Sequence, residues 1–87
     1  MTLGEFLKQK RLGKDLSLRK VVKGCGGHFS ASSLGKWENG KVNPKFIDLV
    51  FLSRFLDFTL YEAAEYIPHE VFGGPYIFVE STQAPNV

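Results

Sequence analysis

The 87 residues, 44% of them apolar and 23% charged, are enough for one soluble domain with a modest core. A single cysteine excludes an internal disulfide framework. The sequence contains no signal core or membrane span, so we expect a cytoplasmic protein with no membrane partner. The net charge of +2 conceals an asymmetry. Residues 1–45 carry ten Lys or Arg against three acids, a net charge of +7, and residues 46–87 carry one Arg against six acids, a net charge of −5. This indicates a polyanion-binding face backed by an acidic body.

Two capped helices are predicted at the start of the chain. Thr2 and Glu5 form a capping box, which should begin a first helix over residues 3–13. Ser17 then caps a second helix over residues 18–23. The run 24–27, with three glycines in four residues, predicts a turn after it.

A third helix is predicted between Ser30, a good N-cap, and Gly40, which can supply the left-handed residue that ends a helix. Leu34 and Trp37 lie three residues apart and should share a buried face. The opposite face is small or cationic, and such a low-profile surface suits insertion into the DNA major groove; it comprises Ala31, Ser32, Gly35 and Lys36. A plain surface helix would show the same pattern, so this stretch alone leaves both readings open.

A fourth helix is predicted to begin with Asn43 as N-cap and Pro44 as first helical residue, and to end near Leu56. Its expected core stripe comprises Phe46, Leu49, Leu52, Ser53 and Leu56. A second, roughly opposite stripe comprises Ile47, Phe51 and Phe55. Because three large apolar residues should not remain exposed to water, we expect this stripe to be covered, by a second subunit or by the chain's own tail. A capping box at Thr59 and Glu62 starts a short fifth helix that should end near Tyr66.

The domain predicted over residues 1–70 is followed by a tail, residues 71–87. The tail contains a β-favouring segment, Tyr76, Ile77, Phe78 and Val79, which needs a strand partner. That partner could be the same segment of a second copy or the chain's own body. The last residues, 81–87, resemble a frayed end.

Catalytic and metal chemistry have little support in the sequence. Cys25 and His28 could form half of a zinc site, but only the distant His69 remains to complete it. The same pair as nucleophile and base would lack an orienting group. The glycine-rich turn lacks the Lys-Ser/Thr of a phosphate-binding loop. We therefore expect no enzyme activity, no metal and no cofactor.

The succession of capped helices resembles the helix-turn-helix domain of phage repressors and Cro, the XRE-like family, over about residues 3–66. The matching residues are Arg11, Ser17, Val21, Val22, Ser30 to Leu34, Trp37 to Gly40, Pro44, Leu49 and Leu56. The resemblance implies five helices, with the third reading the major groove, and an ion pair between Arg11 and Glu38. The family's base-reading positions fall on Ala31, Ser32 and Lys36, with Ser33 beside them. A backbone amide contact to phosphate falls on Asn39.

Three departures from the family pattern shape the expected DNA contacts. Leu18 stands where the family usually has a polar residue that touches the DNA backbone. The turn before the third helix is about two residues longer than usual, and Gly35 lies inside that helix. Since Ala31 and Gly35 offer no side-chain hydrogen bonds, we expect phosphate contacts and DNA shape to contribute more than base readout.

The sequence thus predicts an all-α, non-enzymatic, dimeric transcriptional regulator of the repressor type that binds double-stranded DNA. Lys36 is the best candidate for a base contact. The candidate phosphate contacts are Ser17, Arg19, His28, Ser30, Asn39, Lys41 and Lys45. The candidate homodimer contacts are Ile47, Phe51, Phe55 and residues 76–79. The alternative is a protein-interaction module, such as an antitoxin, whose fourth helix and tail bind a different protein.

Overall fold

The computed structural model describes residues 1–67, which form five α-helices and one turn of 3₁₀ helix and contain no strand. The helices are α1 (Leu3–Gly13), α2 (Leu18–Gly24), α3 (Ala31–Glu38), α4 (Phe46–Phe55) and α5 (Leu60–Ala63), and the 3₁₀ turn is Ala64–Tyr66. The predicted all-α, five-helix architecture is confirmed. The predicted strand at residues 76–79 and the boundary at residue 70 lie outside the described residues.

Short-range hydrogen bonds explain why four of the five helices begin where they do. The side chains of Thr2, Ser17, Ser30 and Thr59 each accept a hydrogen bond from the backbone N–H three residues further on. In both predicted capping boxes, Glu5 and Glu62 accept in return from the backbone N–H of their caps. These bonds satisfy N–H groups that the first turn of a helix leaves free. The starts predicted for α1, α2, α3 and α5 are thus confirmed.

The start of α4 was predicted wrongly. The helix begins at Phe46 with Lys45 as its cap, and Lys45 makes no capping hydrogen bond with its side chain. Pro44 is not the first helical residue, because the chain is still extended at Lys45, where ψ is 159°. The ring of Pro44 is fully buried in the core. The predicted core position of Phe46 is also wrong, since this residue is 43% exposed on the first turn of the helix.

The core is formed where α3 packs against α1 and α2, and where α4 packs against α2 and α5. Phe6 of α1 lies edge-on to Phe58 and stacks on Tyr66, with ring centroids 5.0 and 5.2 Å apart. These contacts join the last turn of the described chain to the first helix. The fully buried side chains that fill the centre are Leu7, Val21, Leu34, Pro44, Leu49, Leu52 and Leu56.

A glycine brings α1 unusually close to the end of α3. A Cβ atom on Gly4 would lie 2.6 Å from the carbonyl oxygen of Glu38 and would also overlap that of Trp37. Only a residue without a side chain permits this approach of two helix backbones. The contact fixes the position of the C-terminal end of α3, the helix that the sequence predicts to read DNA.

Candidate nucleic-acid interface

One face of α3 is anchored in the core and the other is open. Leu34, Trp37 and Glu38 are buried, with 1%, 7% and 8% of their surface exposed. Ser32 and Lys36 are exposed on the opposite side of the helix. Of the small and cationic surface that the sequence places there, the structure thus exposes Ser32 and Lys36, whereas Ala31 and Gly35 are half-buried.

The end of α3 is tied to α1 by the ion pair that the resemblance implies. Arg11 donates from Nε to Oε2 of Glu38 at 2.7 Å and from Nη2 to Oε1 at 2.9 Å. Its Nη1 donates to the carbonyl oxygen of Leu16 at 2.8 Å. The hydrogen bonds to Glu38 raise the pKa of Arg11. One buried guanidinium thus connects α1, α3 and the loop that leads into α2.

The four candidate base-reading residues differ in solvent exposure. Ser32 and Lys36 are exposed, whereas Ala31 and Ser33 are half-buried. The hydroxyl of Ser33 accepts a hydrogen bond from that of Ser30 at 3.0 Å, within the cap of the helix. Ser32 and Lys36 are thus the two polar groups of α3 that are free to meet a ligand.

Leu18 packs over the glycine of α3. A Cβ atom on Gly35 would lie 3.7 Å from Cδ1 of Leu18, and no other atom outside its own helix backbone lies within 4 Å. Leu18 is half-buried, so its side chain covers α3 where a polar residue would extend toward solvent. The two departures from the family pattern therefore lie side by side.

The long turn between α2 and α3 reaches across to α4. Gly26 and Gly27 adopt φ angles of 77° and 73°, which favour glycine. The turn then stacks His28 on Phe51 of α4, with ring centroids 4.0 Å apart and planes 16° apart. The ring centroid of Phe29 lies 4.9 Å from that of Trp37. The extra residues of this turn are thus used to pack it against two helices.

This packing covers part of the second stripe on α4. Phe51 lies under His28, and the ring of Phe55 lies directly on Gly24, so both phenylalanines are half-buried. Ile47 remains 55% exposed. Within the described chain, Phe51 is thus covered by the turn and Phe55 by the end of α2, whereas the expected cover was a second subunit or the tail.

Cys25 is a core residue. It is 5% exposed at the end of α2, and this burial raises the pKa of its thiol. A raised pKa keeps the thiol protonated and unreactive at neutral pH. Within residues 1–67 there is no group of three or more His, Cys, Asp or Glu that could hold a metal ion.

Most cations of the basic half have no acidic partner in residues 1–67. Only Arg11 and Lys14 form ion pairs there, Arg11 with Glu38 and Lys14 with Asp57. Within the basic half, residues 1–45, seven Lys and Arg side chains are both exposed and outside any ion pair in the described chain: Lys8, Arg19, Lys20, Lys23, Lys36, Lys41 and Lys45. Three of the candidate phosphate contacts, Arg19, Lys41 and Lys45, are among them.

The resemblance implies a phosphate contact from the backbone amide of Asn39, and this amide already has an acceptor within the chain. This N–H donates to the carbonyl oxygen of Gly35 at 3.0 Å, as the last hydrogen bond of α3. Asn39 is exposed, so a phosphate contact there would come from its side-chain amide. Ser17 and Ser30, the other neutral candidates, are exposed N-caps whose hydroxyl oxygens accept from backbone N–H groups.

Two features of the site were not found from the sequence. Lys20 and Lys23 add exposed cations on α2, which their charge could have indicated. A cavity of about 470 Å³ lies between α3, α4 and the turn, and Asp48 is among its lining residues. No local sequence signal marks it, because residues from three separate segments form it.

Comparison with known proteins agrees with this geometry. A helix-turn-helix family model matches residues 7–62, which is 56 of the 87 residues. No curated protein and no solved structure matches the chain. No helix within residues 1–67 is both long enough and apolar enough to cross a membrane. The matched span runs from α1 into α5 and contains α2, the long turn and α3, so the chain belongs to the phage-repressor, XRE-like family of DNA-binding helix-turn-helix regulators.

Proposed function

We propose that the protein is a sequence-specific transcriptional regulator of the repressor type, which binds double-stranded DNA as a homodimer with α3 in the major groove. The observation that carries this proposal is the two-sided character of α3. Its buried face is held by Leu34, Trp37 and the Arg11–Glu38 pair, whereas Ser32 and Lys36 face solvent. A rigidly held helix whose outer face carries mostly small side chains can enter the major groove, which is about 12 Å wide.

Lys36 is the proposed base-reading residue, because a lysine can donate to O6 and N7 of guanine. The phosphate contacts are assigned to Arg19, Lys41 and Lys45, with the caps Ser17 and Ser30 and the side chains of His28 and Asn39 beside them. The exposed, unpaired state of the three cations supports this assignment. Ala31 and Ser33 lie along the groove without free polar groups.

The salt dependence of DNA binding tests this proposal. With six to ten phosphate contacts, affinity should fall by about 10³–10⁵ between 50 and 200 mM salt. The affinity of the full chain for a DNA fragment selected from a random pool would be measured by fluorescence anisotropy at several salt concentrations. Affinity that is independent of salt, or equal for selected and unselected DNA, would contradict the proposal.

The homodimer is proposed to form through the acidic half, which leaves two basic faces free. Its support is the apolar surface at the start of α4, where Phe46 and Ile47 are 43% and 55% exposed. Phe51 and Phe55 border this surface, and residues 76–79 could add a strand across the two-fold axis. Such a dimer could place its two α3 helices in successive major grooves, about 34 Å apart.

Sedimentation equilibrium tests the dimer on the full chain and on Ile47→Lys. The lysine should dissociate the dimer, because it would place a charge in an apolar contact. Tyr61→Lys is the matched control, since Tyr61 is 90% exposed on α5, away from the proposed contact. Sedimentation equilibrium on a chain truncated after Glu70 shows whether the tail contributes to the dimer. A wild-type chain that stays monomeric at every concentration would overturn the dimer.

The same exposed apolar surface favours the alternative, a module of the antitoxin type that binds a different protein. The two functions make different demands on the basic half. A protein-binding module would keep its partner affinity when Lys36 and Lys41 are replaced by alanine, and it would bind DNA weakly and without sequence preference. The DNA-binding measurements above therefore separate the two.

A further inference from the structure

The cavity between α3, α4 and the turn contains a buried acid without a partner in the described chain. Asp48, in the first turn of α4, is 9% exposed and lines this cavity of about 470 Å³. Within residues 1–67 its carboxylate accepts no hydrogen bond and forms no ion pair. A buried charge in this state is costly, and a ligand with a positive charge and N–H donors would remove that cost.

Four of the ten residues that line the cavity have aromatic rings. The ring planes of Phe29 and Trp37 meet at 60°, and Phe51 with its stacked partner His28 supplies the other two rings. The faces of aromatic rings attract cations and also pack well against alkyl groups. The volume lies within the range of small-molecule pockets, which is 300–1,000 Å³.

The chain's own nearby cation does not fill this role. Lys45 also lines the cavity, but it is exposed and forms no ion pair in residues 1–67. A bare metal ion is a poor match as well, since no second acidic residue lines the cavity beside Asp48. The combination of one carboxylate with several aromatic rings instead matches an organic cation.

We propose that this cavity binds a small organic ammonium ion, whose N–H groups donate to the carboxylate of Asp48 while its alkyl part packs against Phe29, Trp37 and Phe51. Ser33 and Trp37 belong to α3, so the ligand contacts the helix that is proposed to read DNA. The binding itself does not depend on that proposed function. It can therefore fail or succeed independently of the DNA measurements.

Trp37 gives the test a built-in signal, because it is the only tryptophan in the chain and lines the cavity. The full chain would be titrated with cyclohexylammonium and, as a neutral match of similar shape, with cyclohexanol. We expect a saturable change in Trp37 fluorescence with the amine and at least tenfold weaker binding of the alcohol. A hydrogen bond to a charged group accounts for a difference of this size.

Asp48→Asn should weaken binding of the amine by about tenfold or more, since the amide keeps the shape and removes the charge. Asp57→Asn is the matched control, because Asp57 is an exposed acid away from the cavity and should leave the affinity unchanged.

Three results would overturn the proposal: no saturable change up to about 10 mM amine, equal binding of amine and alcohol, or unchanged amine affinity in Asp48→Asn. The comparison of amine with alcohol uses the wild-type chain, so it decides the matter even where a variant folds poorly.

Discussion

Two ion pairs at the end of α1 have nearly the same shortest N–O distance and opposite surroundings. Arg11 meets Glu38 with an N–O distance of 2.7 Å, and Lys14 meets Asp57 at 2.8 Å. The side chains of the first pair are 11% and 5% exposed, and those of the second are 39% and 74% exposed. Both pairs join α1 or its C-cap to a distant part of the chain, and they differ in burial and in the number of hydrogen bonds, two between Arg11 and Glu38 and one between Lys14 and Asp57.

That difference shows which junction can set the position of α3. Water and salt screen the exposed pair, and such pairs stabilise proteins little or not at all. In the buried pair, water cannot take the place of either side chain. This pair lies beside Gly4, where the backbones of α1 and α3 come into contact. The orientation of α3 therefore depends on the buried junction and hardly on the exposed one.

The largest expected effect comes from breaking the buried pair. Arg11→Met alone and Glu38→Gln alone should each lower the free energy of unfolding, by about 3–5 kcal/mol where a charge is left buried and unpaired. The double variant should lose less than the sum, because neither side chain then leaves the other stranded. Urea denaturation measures all three. Strict additivity would show that the two side chains do not act as a pair.

Gly4→Ala should disturb the same junction through its backbone contact. The added methyl would be forced against the carbonyl oxygens of Trp37 and Glu38, and overpacking of this kind typically costs about 1–3 kcal/mol. Gly13→Ala is the matched control in the same helix, because a Cβ there would meet nothing within 4 Å. If thermal denaturation finds the two variants equally stable, the close approach of α1 and α3 is absent in solution.

Gly35→Ala should raise the stability of the protein, and by less than Gly4→Ala lowers it. The new methyl would meet only Cδ1 of Leu18, at an ordinary contact distance of 3.7 Å. Replacing glycine by alanine inside a helix stabilises it by up to about 1 kcal/mol. We therefore expect a modest rise in melting temperature. A fall would mean that Leu18 packs more closely on α3 than the contact indicates.

Lys14→Met should have the smallest effect, with no resolvable change in melting temperature at neutral pH. The hydrogen bond from Lys14 lowers the pKa of Asp57, and this variant should return that pKa to the usual value of an aspartate. Because the folded-state pKa is lowered, any stabilisation is present above pH about 4 and is lost as pH falls through the folded pKa. An NMR titration of the Asp57 carboxyl measures the shift. An unchanged pKa would show that the pair is not formed.

Local chemistry made most of the helices predictable. The caps Thr2, Ser17, Ser30 and Thr59 act on backbone N–H groups three residues away, so their effect can be derived from neighbouring residues alone. The Arg11–Glu38 pair spans 27 residues, and only the family resemblance indicated it. The errors at Pro44 and Phe46 arose because burial of the proline ring, a tertiary effect, shifted the start of α4.

The candidate site was predictable in outline only. The exposed face of α3 followed from the spacing of Leu34 and Trp37, which places both on the buried side. The stacking of His28 on Phe51, the packing of Leu18 on Gly35 and the cavity at Asp48 depend on how the long turn crosses to α4. Contacts between segments far apart in the chain leave no periodic signal in the sequence.

The central claim, that α3 reads bases while the cations around it hold phosphates, is tested most directly by comparing three alanine variants on selected DNA. The base preference at every position of the site would be measured for Lys36→Ala, Lys41→Ala and Arg54→Ala, the last being an exposed cation in the acidic half. Lys36→Ala should relax the preference at one base pair by about 1–3 kcal/mol, whereas Lys41→Ala should weaken all sequences alike and Arg54→Ala should change neither. If Lys36→Ala leaves the preference at every position unchanged, α3 does not read DNA through this residue and the account is contradicted.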